Sequence, residues 1–467
     1  MTRAMRPAIL VCFVIALGAP TLNGPFRNDD YPQLLRASKY APWEFFVQGQ
    51  QAIHSQHYGW SAEQSRPSNF YRPANQLTWW IDWHLFGWDV RGYHATNIAI
   101  HAVTVLCVYW IAAYLFGPAS GFLAGVFIAT ALSWAALVGQ SMDNRSDAVP
   151  GMFVAIALLL WVKRRRWYLL PLALALFSKE TPVFIPVVFS VLTALRDRKL
   201  SWNNLQPLAV MGLYLIVRKS VLGGIGTWFM NPVPAFKWLL VSPLAPADFF
   251  RQNVIAFAVL NVAAIYVLWK SERRWLAAWV LGLVPLLILS ARDSGRYTYP
   301  MLIFYAIWMA SSRARYVVAT MVGFSMLFTM SHLDRSYQPA IVAAQTAENI
   351  VQSVPTVPSF VAITTPQRIG VAGLFSNGLC EALLLRKRIT ECLLVLDGLP
   401  DTRVRRVSVD EWMVSKSAYA FHARDPDHLI SHSGEAYRGA DGHWRIKMHR
   451  RFSATWAYDS GHFKPFQ

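Results

Sequence analysis

The chain has 467 residues, of which 54% are hydrophobic and 15% charged, with 44 Lys and Arg against 26 Asp and Glu for a net charge of +18. Soluble domains carry about 25% charged residues; this composition, with a positive mean hydropathy and 20 Trp, excludes an ordinary soluble protein and points to a polytopic membrane protein. The excess charge does not indicate nucleic acid, because the basic residues sit in short clusters between apolar runs, as cytoplasmic loops do.

A spanning helix needs roughly 17–25 mostly apolar residues. In chain order such segments lie at about 6–23, 95–116, 120–139, 147–162, 167–178, 181–195, 205–222, 253–269, 275–290, 298–311 and 315–331. The expected fold class is an α-helical polytopic membrane protein with about 11 transmembrane helices over 1–331. The first segment, MTRAMRPAILVCFVIALGAP, also reads as a signal peptide; on either reading the chain from Asn23 onward is outside.

A long outer loop, 24–94, follows. It opens FRNDDYPQLL, with Asp29 and Asp30 just beyond the first span, and Arg72 lies further on in FYRPANQ. Aromatic residues crowd its second half, from Trp60 and Phe70 to Trp88. Leu77, Trp80, Ile81 and His84/Leu85 form a helical stripe, which predicts a short helix lying on the bilayer surface.

The later polar positions gather between particular spans. Tyr93, His94, Asn97 and His101 open the second span, and the last three share one helical face. Asp143, Asn144, Arg145, Ser146 and Asp147 fill the turn between spans three and four. Lys179 and Glu180 cap the hairpin of spans five and six, and Arg292, Asp293, Arg296 and Tyr297 precede span ten.

The basic clusters give the orientation. Arg3 and Arg6 precede the first span, and Lys163–Arg166, Arg196/Arg198/Lys199, Lys270/Arg273/Arg274 and Arg313/Arg315 follow the fourth, sixth, eighth and tenth. A cytoplasmic N-terminus puts all of them inside, and places the polar positions above and the tail, 332–467, outside. The tail reads as a small α+β or β-rich extracytoplasmic domain: strands at FVAIT, ECLLVLDG and VRRVSV, a helix over 340–352, and a hairpin turning at Gly439–Gly442. Cys12 and Cys107 lie in apolar runs, whereas Cys380 and Cys392 are free to pair if the tail is extracytoplasmic.

Taken singly, each polar position reads as a solvated helix end, Lys179–Glu180 as a turn ion pair and His94 as a hydrogen-bonded bundle histidine. Taken together, acids, cations and histidines converge on one side beneath an aromatic loop. That is the layout of an outer-leaflet site for an anionic ligand with a base.

FRNDDYPQLL, FYRPANQLTWWIDWHLFG, GYHATNIAIH, DNRSD, FSKETPVFIP and SGRYTYP, in this order over 26–300, resemble the GT-C superfamily of membrane glycosyltransferases. They look most like its protein O-mannosyltransferase-like branch, which includes the transmembrane and tetratricopeptide-repeat O-mannosyltransferases. The chain departs from that pattern at Asn144–Arg145–Ser146–Asp147, at Ser294–Gly295–Arg296 and in a tail without the repeats. The resemblance implies a GT-C-like bundle and an inverting transferase that takes a sugar from a polyprenyl-phosphate donor to a hydroxyl acceptor at the outer face. The acceptor is a protein Ser/Thr or, alternatively, lipid A or a glycan.

On that reading Asp29 is the general base. Asp30 positions sugar hydroxyls or strengthens Asp29 by like-charge repulsion. Arg296, Arg145, Lys179 and Arg72 hold the donor phosphate. Asp147 and Glu180 orient those cations or bind the sugar, and His94, Asn97 and Tyr297 line the site. The abundance of Arg and Lys favours cationic side chains over a divalent Mg or Mn ion as the neutralising group. The membrane is expected to be a bacterial inner membrane, with membrane lipids as further partners. Two other classes stand beside this one: a lipid-linked sugar transporter, which needs midplane charges and repeated halves, and a non-catalytic GT-C-like scaffold.

Overall fold

In the computed structural model each of the eleven apolar segments coincides with a helix, among the described residues. These residues are 4–27, 29–49, 70–131, 145–199, 201–223, 244, 253–289, 298–366, 368–369, 372–373, 379–386, 388–399, 401–408, 410–418, 427–431, 433–460 and 462–465. The helices are α1 (Met5–Gly18), α2 (Asp30–Lys39), α3 (Glu44–Val47), α4 (Pro73–Phe86), α5 (Val90–Phe116), α6 (Pro118–Ala129), α7 (Arg145–Val162) and α8 (Leu169–Ser178). They continue with α9 (Ile185–Asp197), α10 (Trp202–Leu222), α11 (Val254–Lys270), α12 (Arg273–Leu289), α13 (Tyr299–Ala310) and α14 (Arg315–Ser353). Three of them, α5, α7 and α10, are long and apolar enough by length and composition to cross a membrane.

Burial supports the membrane setting. Helix α10 exposes Leu205, Leu213 and Ile216, and α11 exposes Ile255, Val259, Val262 and Trp269. Apolar faces of that extent belong against lipid. On their inner sides the helices share one apolar core, running from Leu10 and Val14 through Val108, Phe127 and Leu158 to Phe304 and Trp308. Small residues let the helices approach closely: a side chain at Gly121 would strike the Tyr109 carbonyl, and one at Gly125 would strike Leu10.

Helix α4 is amphipathic in an inverted sense. Its expected apolar stripe points outward at Ile81 and Leu85, while Asn75, Gln76, Trp79 and Asp82 are buried. Such a helix has its apolar face available to the bilayer and its polar face turned to protein.

The chain divides into two compact units. One is Met1–Asn23, Tyr71–Thr78 and Leu85–Tyr337; the other is Gly24–Phe70, Trp79–His84 and Gln338–Gln467. The start of the long outer loop therefore groups with the tail. The helix expected at 340–352 is the continuation of the last apolar helix, α14, because the intervening SHLDRSYQPA holds no glycine and its single proline does not end the helix.

The tail contains strands β1 (Ser359–Pro366), β2 (Arg368–Ile369), β3 (Ala372–Gly373), β4 (Glu391–Gly398), β5 (Val404–Arg406), β6 (Glu411–Val414), β7 (His428–Ser431), β8 (Gly434–Arg438), β9 (Trp444–Met448), β10 (Ala454–Asp459) and β11 (His462–Pro465), with helix α15 (Leu379–Leu385) before β4. One sheet has the order β11-β10-β1-β4, with β1 parallel to both neighbours; a second is antiparallel in the order β5-β6-β9-β8-β7, and β2 and β3 form a short antiparallel pair of their own. Strand β9 alternates buried Trp444, Ile446 and Met448 with exposed Arg445 and Lys447, as a strand covered on one face does. Val361, Ile363, Leu393 and Val395 of the first sheet share a core with Trp412, Val414, Trp444 and Ile446 of the second. The β8–β9 hairpin turns where expected, with Gly442 N–H donating to the Gly439 carbonyl, and Cys380 and Cys392 form a disulfide.

Candidate functional site

Each unit carries a cluster of buried polar groups. In the helical unit it is organised by the first turn of α7, where Asp147 suits the positive end of the helix dipole. Arg145, 1% exposed, is helical here and not part of a free turn. Its Nε donates to Asn97 Oδ1 at 2.6 Å, its Nη2 to the Tyr93 carbonyl at 2.9 Å and its Nη1 to the Thr78 carbonyl at 3.3 Å. One guanidinium thus ties α4, α5 and α7 together. The shared face of α5 is buried as its spacing predicts, with His94, Asn97 and His101 all inside.

Lys179 and Glu180 do not pair with each other. Lys179 is extended, and successive side chains of an extended chain point apart. Each therefore finds a partner on another element. Buried Lys179 forms an ion pair with buried Asp147. Glu180 receives a two-pronged bond from Arg72, Nε to Oε2 at 3.0 Å and Nη2 to Oε1. Burial by itself raises the Glu180 carboxyl, but the charge and hydrogen bonds of Arg72, helped by Arg218 and Lys179, prevail and hold it at about 2.

Two contributors were not singled out by the sequence. Arg218 of α10 is 3% exposed, donates to Tyr214 Oη at 3.1 Å and adds to the field on Glu180. Its signal was an arginine inside the apolar run YLIVRKS. Tyr299, from SGRYTYP, lies 2.5 Å through its hydroxyl from His101 Nδ1. Its ring rests on Gly151, where any side chain would collide with it. Arg296 and Tyr297 lie outside the described residues, as do Asp143, Asn144, Arg292 and Asp293.

In the other unit the acid pair opens α2. Asp30 is 1% exposed and its Oδ2 accepts the Arg27 backbone N–H at 3.0 Å, closing the turn into the helix. Asp29, at the N-cap, is half-buried. The Arg27 side chain is buried as well; desolvation lowers its proton affinity, and Asp30 and then Asp29 work against that loss. Tyr31 donates to Glu348 Oε2 at 3.4 Å, and Glu348 Oε1 accepts from Arg386 at 2.9 Å. Helix α2 packs against α15. No three His, Cys, Asp or Glu side chains converge as metal ligands among the described residues. Asp147 and Glu180 serve instead as counterions to Lys179 and Arg72, an arrangement that does not fit a divalent-ion cage.

No protein family model matches the chain, and no curated protein sequence matches it. Among solved structures it is similar to the crystal structure of ArnT from Cupriavidus metallidurans in the apo state, at 13% identity and a TM-score of 0.45, over 83% of this chain and 85% of that chain. A likeness at this level assigns neither a family nor a reaction.

Proposed function

We propose that this chain is a membrane glycosyltransferase of the GT-C kind that moves a sugar from a polyprenyl-phosphate donor to a hydroxyl acceptor outside the cytoplasm. The observation that carries the reading is the set of cations held in the helical unit, Lys179 and Arg145 buried and Arg72 partly so. Lys179, Arg72 and Arg145 are held by Asp147, Glu180, Asn97 and backbone carbonyls at the ends of apolar helices. Charges buried in this way cost stability, and at membrane depth they mark function. The sequence motifs point to the same chemistry, and the Cys380–Cys392 disulfide favours an oxidising compartment for the tail.

In the proposed reaction Asp29 takes the acceptor hydroxyl proton as the new bond to the anomeric carbon forms. The lipid phosphate leaves with the electron pair of the broken bond, and the cations, with Arg296, stabilise it. Single displacement inverts the anomeric centre and needs no covalent intermediate. Asp30, already bonded to the Arg27 N–H, suits a positioning role, which leaves Asp29 as the base.

The test is transfer from a labelled polyprenyl-phosphate sugar by the purified protein, wild type beside Asp29→Asn and Asp30→Asn. Asp29→Asn is expected to lose about 10²-fold or more of the turnover while reaching the membrane normally. Retained turnover removes Asp29 as base. No turnover or donor binding with any sugar tried moves the weight to a scaffold or transporter. Running protein, lipid A and glycan acceptors side by side identifies the acceptor class.

A further inference from the structure

Glu381 lies outside every motif discussed above. It sits in the first turn of α15 with its side chain fully buried, and among the described residues neither carboxyl oxygen has a hydrogen-bond partner beyond the residue's own backbone. Its immediate neighbour Cys380 is bonded to Cys392 of β4, which pins α15 to the sheet. On its other side α15 packs against α2, the helix that begins at the acid pair. A carboxyl group in such a place is ordinarily paired or replaced by an apolar residue.

Among the described residues, the charged groups on the elements packed against it are these. Helix α2 carries Asp29, Asp30, Arg36 and Lys39. Of these, Asp29 acts on Glu381 to favour its protonated form and Lys39 to oppose it. On β4, Glu391 is bonded to Arg450, and on the segment leaving α15, Arg386 is bonded to Glu348.

We propose that Glu381 is a positioning residue for Asp29: a buried carboxyl on the helix packed against α2, it holds a proton of its own and so adds no charge near the helix that begins at the proposed base. This rests on the reading of Asp29 as the base. Desolvation, opposed by the residue's own backbone N–H, reinforced by Asp29 and resisted by Lys39, pushes the Glu381 carboxyl up to about 7. Below neutrality Glu381 is uncharged. As pH rises through about 7 it ionises, and a buried negative charge appears on the helix packed against α2.

The experiment needs no substrate. Infrared spectroscopy of the full-length protein in lipid nanodiscs follows the carbonyl stretch of buried protonated carboxyl groups through a pH titration. Wild type is expected to show a band that disappears around neutral pH and is missing in Glu381→Gln. By reciprocity between coupled sites, Asp29→Asn should move its midpoint down by about half a unit or more, and Lys39→Met should move it up. A band unchanged in Glu381→Gln overturns the proposal, and so does a midpoint that ignores both neighbouring substitutions. If the transferase reading holds, Glu381→Gln also extends turnover to more alkaline pH without changing KM for the acceptor at pH 6. The spectroscopic result stands apart from that reading, so the failure of one is distinguishable from the failure of the other.

Discussion

The helical unit and the unit built around the tail treat buried charge in opposite ways. In the helical unit Lys179 is matched by Asp147, and Arg72 by Glu180. In the other, among the described residues, Glu381 is fully buried with no side-chain partner for either oxygen, and Arg36 is buried with its Nε unpartnered. A compensated pair offsets the cost of burying its charges and holds its geometry. An uncompensated group yields its charge: burial pushes Glu381 up to about 7 and lowers Arg36 to about 9. The first arrangement suits binding of a permanently charged phosphate, and the second suits proton handling.

The largest effect that could break this comparison is on the Lys179–Asp147 pair. Lys179→Met leaves a buried carboxylate without its partner and is expected to cost about 3–5 kcal/mol, seen as a large drop in the unfolding temperature of the detergent-solubilised protein. Adding Asp147→Asn should restore much of that loss. A cost near zero for the single variant would mean that the pair is solvated and the contrast between the units is wrong.

The pH dependence of stability sharpens the contrast. The Glu180 carboxyl is held at about 2, below its ordinary 4.5, so its contribution is present above about 4.5 and lost only as pH falls toward 2. Glu381 behaves in the opposite sense. Its folded-state value of about 7 lies above 4.5, so the folded state binds the extra proton and stability declines as pH rises from about 4.5 through 7. The shift corresponds to a penalty on the order of 3 kcal/mol above neutrality. Hydrogen exchange, corrected for intrinsic rates, should show α15 and β4 loosening between pH 5 and 8, with α8 and α9 unchanged. Glu381→Gln should abolish the loosening.

The smallest expected effect is that of a neutral contact in the helical unit. Tyr299→Phe removes the hydroxyl that meets His101 and should cost about 0.5–1.5 kcal/mol, measurable as a modest fall in the unfolding temperature. A loss as large as that of Lys179→Met would place the weight of the cluster on neutral contacts and not on ion pairs.

Local patterns were legible from the sequence because their causes are local. Helix α4 and the buried face of His94, Asn97 and His101 follow from the 3.6-residue period. ECLLVLDG became β4 over the expected residues, and the β8–β9 turn fell at its glycines. Arg218 was legible in principle, since a lone arginine in an apolar run is costly, but nothing local tied it to Glu180. Tyr299 was similarly hidden, because its value depends on the space left by Gly151, far away in the chain.

Hydropathy, period and spacing act over a few residues, so residue order alone was enough to read a helical, apolar chain followed by a β-rich unit in which Cys380 and Cys392 could meet. Only the tertiary structure decided which charges are partners. It sent Lys179 to Asp147 and Glu180 to Arg72 instead of to each other, and it set Glu381 beneath the helix that begins at the acid pair. Electrostatic partnership depends on distance and desolvation in space, and neither can be read from neighbours along the chain.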